Sequence, residues 1–177
     1  MNNVEQKLFM MVGIPGSGKS TWIKNHLTDE DAWVSRDEVR FSIVPETQPY
    51  FSQEDRVFKE WIGRIVWCLE SGYRYIYMDA THISVKSRKK TFYYLNKYMK
   101  AKHLDCSVEA IYLDTPYKVC NERNALRKGR EKVPVDSLKS IRNALTQPQL
   151  KEGFKKIYII REDGIEVVTA LTTSKRR

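Results

Sequence analysis

The stretch LFMMVGIPGSGKSTW, from Leu8 to Trp22, restricts the possible folds more than any other part of the chain. An apolar run passes straight into glycines at 13, 16 and 18, and then into Lys19-Ser20-Thr21. The spacing G-x-x-x-x-G-K-[ST] is met in full, with a strand pattern before it and a helical pattern after it. That order asks for a strand, a tight loop and a helix in succession. The glycines let the backbone curl and bring its N–H groups towards phosphate oxygens. The N-terminus of the helix adds partial positive charge. Gly13, Pro15, Gly16, Ser17, Gly18, Lys19, Ser20 and Thr21 are therefore the expected ATP-binding loop. Lys19 is placed to reach the β- and γ-phosphates, and Ser20 to offer its hydroxyl directly to Mg²⁺. No guanine-selecting Asn-Lys-x-Asp signature occurs in the sequence, which favours ATP over GTP.

The rest of the chain alternates in the same way. Lys7–Val12 reads as a buried strand, followed by a helix to about Leu27. Ala32–Ser35 is a short second strand, and DEVRFSI gives a helical turn or two before Pro45. After the Pro45–Phe51 connection, Ser52 is the expected cap of a long helix with Glu54 and Asp55 in its first turn. In that helix Val57, Trp61, Ile65, Cys68 and Leu69 recur at three- and four-residue steps, and Gly72 ends it. Tyr73–Asp79 and Ser107–Asp114 are strands ending in acids, separated by a basic, aromatic-rich helix. Pro116 is expected as the first residue of the next helix, and a further helix spans roughly Asp136–Thr146. KKIYIIREDGIEVVTAL is a hairpin turning at Asp163-Gly164. Four strand–helix units and a closing strand predict one α/β domain, covering residues 1–177. Its mainly parallel five-stranded sheet is flanked by helices and carries a C-terminal antiparallel hairpin strand.

Composition limits the partners. The formal charge is +9, from 31 basic and 22 acidic residues, which suits a polyanion such as nucleic acid or nucleotide phosphates. Cys68, Cys106 and Cys120 are odd in number and widely spaced, so buried free thiols are expected, without a disulfide or a zinc site. No apolar run reaches membrane-spanning length, and the expectation is a soluble cytoplasmic protein.

The second strand leads into SRDEVR, which places Asp37 and Arg40 three residues apart, on one face if a helix starts there. In open parallel sheets ligands sit beyond the carboxyl ends of the strands, so Asp37 is expected to face the phosphate loop. Phosphoryl transfer to a hydroxyl needs a carboxylate that accepts the hydroxyl proton. Asp37 is the candidate, and Arg40 is the candidate for holding an anionic part of the acceptor. Asp79, at the end of the third strand, is suited to holding Mg²⁺ through water or bracing an arginine near the phosphates. Arg123 and Arg127 share a helix face in the basic segment ERNALRKGREK. In KSRKKTFYYLNKYMKAKH, Arg88, Lys89 and Lys90 beside Phe92, Tyr93 and Tyr94 suit a nucleic-acid backbone and its bases. Phe92 and Leu95 are nevertheless assigned to the core, and Tyr94 and Tyr98 stay open. His26, His82 and His103 build no catalytic or metal cluster by spacing.

Taken in order, GIPGSGKSTW, SRDEVR, DATHISVKSRKK and ERNALRKGREKVP resemble the kinase domain of phage-type polynucleotide 5′-kinases and their P-loop relatives. The resemblance runs from about Leu8 to Leu145 and implies a P-loop kinase fold with ATP and Mg²⁺ as cofactors. It implies that Asp37 is the general base, that Arg40 contacts the acceptor phosphate and that Thr81 touches acceptor or phosphate. It implies a lid at about residues 116–133 in which Arg127, then Arg123, contacts the transferred phosphate and ATP. The lid is one residue longer before KVP than the family pattern, which keeps Arg130 in view beside Arg127. Asp37 and Asp79 are expected near the metal through water.

The expected function is ATP-dependent transfer of the γ-phosphate to a DNA or RNA 5′-hydroxyl end, as in nucleic-acid repair. The alternatives are a kinase for a nucleoside, sugar or antibiotic, and a nucleotide-binding module without transfer chemistry. No D-x-D-x-T-like phosphatase signature is present, so no phosphatase activity is expected.

Overall fold

Six strands form one sheet in the order β2-β3-β1-β4-β5-β6 in a computed structural model that describes residues 5–170. β1 (Lys7–Val12) lies between β3 (Tyr75–Asp79) and β4 (Ser107–Leu113), and pairs parallel with both. β2 (Ala32–Ser35) pairs parallel with β3, and β5 (Ile157–Arg161) with β4. Only β6 (Gly164–Val168) is antiparallel, against β5. This matches the expected mainly parallel sheet with an added hairpin strand. The ends of the expected domain, 1–4 and 171–177, lie outside the described residues.

β1 is apolar from Leu8 to Val12 because both faces of the sheet are covered. Leu8, Met10 and Val12 face α3 (Glu54–Glu70) and α4 (Val85–Lys102), in a cluster with Trp61, Ile62 and Leu95. Phe9 and Met11 face α1 (Lys19–His26) through Ile23. Trp61 is fully buried, and its indole N–H donates to the Val34 carbonyl at 3.0 Å, which fixes α3 against β2. A third cluster joins Ile14 of the glycine loop to Cys120 of α5 (Tyr117–Ala125) and Leu138 of α6 (Val135–Ala144).

Local chemistry moves several expected boundaries. Ser52 does not cap α3; its hydroxyl donates to Gln48 Oε1 at 3.3 Å, and Gln53 precedes the helix with no side-chain cap bond. Pro116 is the cap residue of α5, with extended ψ 137°, and the first helical residue is Tyr117. The hairpin turns at Glu162-Asp163, because Gly164 (φ 144°) already pairs with Arg161. A turn of type I′ needs positive φ at both central residues, and neither Glu162 nor Asp163 has it.

Arg88 is the largest departure. It is fully buried and makes a two-pronged ion pair with Glu152, Nε to Oε2 at 2.8 Å and Nη2 to Oε1 at 2.9 Å. Its Nη1 donates to the carbonyls of His82 and Thr146. Arg88 therefore pins α4 to the segment after α6 and is closed to nucleic acid. Phe92 and Leu95 are core residues as expected, and Tyr94 packs against that core. Tyr93 and Tyr98 are exposed. Cys68 and Cys120 are buried free thiols, and Cys106 is a half-buried one. No helix among the described residues is long and apolar enough to cross a membrane.

Candidate functional site

The loop after β1 sits at the carboxyl end of the sheet, beside the ends of β3 and β4. Gly13, Gly16 and Gly18 have φ of 153°, 84° and 99°, values that side chains rarely tolerate. The Gly13 N–H donates to the Thr81 carbonyl at 3.1 Å, which ties the loop to the segment after β3. Pro15 and Ser17 are buried, and Ser17 Oγ has no hydrogen-bond partner. The Ser17 carbonyl accepts from Thr115 Oγ1 at 2.9 Å. Gly18 caps α1, Lys19 opens it, and Thr21 is exposed on its first turn.

Gly16 sets the distance between this loop and α5. A methyl group there would lie 2.4 Å from the Cys120 carbonyl oxygen of α5. Gly16→Ala adds left-handed strain of about 1–3 kcal/mol to that clash. The expected result is a lower thermal midpoint and at least a roughly tenfold loss of nucleotide affinity, read by calorimetric titration.

Lys19 is buried, and its Nζ donates to the carbonyls of Gly13 at 2.8 Å and Ile14 at 3.1 Å. Burial lowers its pKa, partly offset by the Asp79 and Asp37 charges. Asp79 is held by two donors on one oxygen, the Trp33 indole at 3.0 Å and the Ser20 hydroxyl at 3.2 Å. Burial raises its pKa, against the opposing pull of Lys19 and of those donors. The β2–β3 register sets Ser35 beside Asp79, so Asp37 follows two residues beyond.

Ser35 accepts from the Glu38 N–H and starts α2 (Arg36–Ile43), which puts Asp37 and Arg40 on one face. The two form the expected i,i+3 ion pair, with the Asp37 side chain 64% exposed and Arg40 almost wholly buried. Arg40 also donates from Nη2 to Glu54 Oε2 at 2.9 Å and from Nη1 to Tyr50 Oη at 3.1 Å. Its guanidinium lies over the rings of Tyr50 and Phe51. Burial alone would lower its pKa; the Glu54 hydrogen bond and the Tyr50, Glu54 and Asp37 charges together raise it. The Tyr50 hydroxyl donates to Asp37 Oδ1 at 2.8 Å. Burial and the Asp37 charge push its pKa up to about 12, so it remains a donor at neutral pH.

In the segment expected to form a lid, Arg123 donates to the Gly16 carbonyl at 3.3 Å. Arg127 lies close enough for its charge to lower the Lys19 pKa, and its Nη1 donates to the Glu131 carbonyl at 3.4 Å. Arg130 turns the other way and stacks over Phe41 at 4.8 Å from the ring centroid. Buried Asn124 clamps the segment, accepting from the Val133 N–H at 3.0 Å and donating to its carbonyl at 2.7 Å. Thr81 is half-buried at the loop, joined to it through its backbone. Tyr50, Glu54 and Trp33 touch the expected site residues Asp37, Arg40 and Asp79, and Phe41 touches Arg130, contacts to which the sequence did not point. Trp33 alone left a trace, as an indole on the strand beside Asp79.

The sheet order, the glycine loop at the end of β1 and the acid at the end of β3 define the P-loop kinase fold. The family model described as an AAA domain matches residues 8–148, and the chain belongs to that family. Among solved structures the fold is similar to a chain of the Pnkp1/Rnl/Hen1 RNA repair complex, with 24% identity and TM-score 0.61 over 81% of this chain. This chain spans 46% of that one, just under half its length. It is also similar to a fungal RNA kinase, with 12% identity, TM-score 0.64, and 96% and 80% of the two chains covered. A sugar kinase from Janibacter sp. shares 20% identity at TM-score 0.54, covering 88% of this chain and 84% of that one. No curated protein matches the sequence.

Proposed function

We propose that this protein is an ATP-dependent polynucleotide 5′-hydroxyl kinase. One observation carries the transfer to a hydroxyl. Across from Lys19 an exposed carboxylate, Asp37, already accepts a hydrogen bond from a hydroxyl, that of Tyr50, at 2.8 Å. A substrate hydroxyl needs the same contact to be aligned and deprotonated.

In this reading the acceptor hydroxyl replaces the Tyr50 hydroxyl and gives its proton to Asp37 as its oxygen attacks the γ-phosphorus in line, the bond to the β,γ-bridging oxygen breaks and ADP leaves. Arg40 holds the Asp37 carboxylate in place. Nη1 and Nη2 are engaged while the buried Nε has no partner, so the acceptor-phosphate contact implied by the resemblance falls to Arg40 donors left over from Asp37, Tyr50 and Glu54. Lys19 leaves the Gly13 and Ile14 carbonyls for phosphate oxygens, and Arg127 adds lid charge where the transition state needs it. Gly13, Pro15, Gly16, Ser17, Gly18, Ser20, Thr21 and Arg123 form the ATP cradle. Ser20 and Asp79 present two hard oxygen donors 3.2 Å apart, a set that fits Mg²⁺. When bound, that ion neutralises charge on the β- and γ-phosphates.

The fold also serves sugar kinases, so the acceptor class rests on the basic surface and on the likeness to RNA kinases. The deciding measurement supplies γ-labelled ATP, Mg²⁺ and a panel of 5′-hydroxyl DNA, 5′-hydroxyl RNA, nucleosides and sugars. Label is expected on the polynucleotide ends, with binding that weakens as salt rises. Label on small molecules alone would reject the proposal.

A further inference from the structure

One part of the cleft takes no part in the transfer step described above. Phe41 lies on α2 one turn beyond Asp37, about 6 Å along the axis. With Val44, Pro45 and the lid it lines a cleft of about 550 Å³. The Arg130 guanidinium covers the Phe41 ring at 4.8 Å and approaches the Tyr50 ring at 5.9 Å. Arg130 Nη2 is shielded from solvent and has no hydrogen-bond partner. Phe51, against Tyr50, is 69% exposed. Glu46, Lys128 and Glu131 also line the cleft.

An aromatic face under a guanidinium plane is a site for a flat, polarisable ligand. The two carboxylates offset Lys128 and Arg130, so the lining has no net positive charge to hold a phosphate, and they accept from exocyclic amino groups. The orphan Nη2 is a donor for a ring carbonyl or ring nitrogen. We infer that this cleft receives the 5′-terminal nucleobase of the acceptor, stacked between Phe41 and Arg130 while its 5′-hydroxyl reaches Asp37. The inference rests on the polynucleotide reading and deepens it. The end is recognised by the π-face of its base, with little choice among bases. Arg130 lies in the short 3-10 turn Gly129–Glu131 of the lid and must part from Phe41 to admit a ring. Binding of a base therefore moves the segment that also carries Arg127.

The test compares two single-stranded 5′-hydroxyl oligonucleotides that differ only in whether the terminal nucleotide carries its base or is abasic. For the wild-type protein the abasic end is expected to raise KM about ten- to hundredfold. In Phe41→Ala and in Arg130→Ala that ratio is expected to fall towards one. Equal KM for both ends in the wild type would overturn the base site and leave the polynucleotide reading standing. A ratio preserved in either folded variant would also overturn it. Transfer to no oligonucleotide, with transfer to a sugar, would remove both readings. Should Phe41→Ala fail to fold, Arg130→Ala decides alone, because its side chain leaves the lid and not the core.

Discussion

Asp37→Asn is expected to keep ATP binding within a few-fold of wild type and to lose phosphoryl transfer by about 10²–10⁴-fold, the usual contribution of a general base. Two features separate these effects. The Asp37 carboxylate is 64% exposed, so the amide meets no packing penalty. Buried Arg40 keeps Glu54 and Tyr50 as partners when Asp37 is neutral, so the start of α2 stays in place. An amide oxygen still accepts a hydrogen bond from the acceptor hydroxyl, and alignment survives in part; what is lost is the proton sink. KM for the acceptor should therefore change less than kcat, and single-turnover rates should fall as far as steady-state ones. Full transfer by Asp37→Asn would remove the general base from the mechanism. An equal collapse of ATP binding would instead make Asp37 a structural acid.

The residues that were legible in the sequence have neighbours set by local periodicity. The glycine loop, β2 and the Asp37–Arg40 pair each depend on spacing within one turn or one strand. Asp79 was legible because an apolar run that ends in an acid places it at a strand's carboxyl end. What completes the site comes from the Pro45–Phe51 connection folding back over α2. Tyr50 lies 13 residues from Asp37 and Glu54 lies 14 from Arg40, with no periodic relation between them. Arg88 misled because a basic run reads as solvated. Its partner Glu152 is 64 residues away and almost wholly buried. Arg130 stood only second to Arg127 for the same reason. Its ring partner Phe41 lies on another element, so only the tertiary fold separates it in role from Arg127.

His82 carries the second large expectation, a steep loss of stability in mild acid. It follows Thr81, whose carbonyl holds Gly13, and its own carbonyl accepts from Arg88 Nη1 at 3.0 Å. The residue is 3% exposed with φ 44°, a strained left-handed value for a non-glycine residue. Its Nδ1 carries the proton donated to the Met11 carbonyl at 2.9 Å, while Nε2 is buried without a partner beside Trp61. Burial, then the charges of Arg36, Arg88 and Lys19, push its pKa down to about 3, against the Met11 hydrogen bond. The unfolded chain takes up a proton near pH 6.5 and the folded protein does not. Stability is therefore full above pH 6.5 and falls with decreasing pH until about pH 3, by about 1.4 kcal/mol per unit. Asp79 works in the opposite sense, since its raised pKa lets the folded state take up a proton first. Its window runs upward from about pH 3.8 to that raised pKa. Between pH 6.5 and 5 the His82 effect should amount to about 2 kcal/mol, a large share of the 5–15 kcal/mol that holds a typical domain. Denaturant midpoints should fall across that interval, and nucleotide affinity should fall with them, because the Thr81 anchor of the loop moves with His82. His82→Asn tolerates the left-handed backbone and has no group that titrates there. It is expected to flatten the profile, and an unchanged slope in that variant would assign the acid sensitivity to other groups.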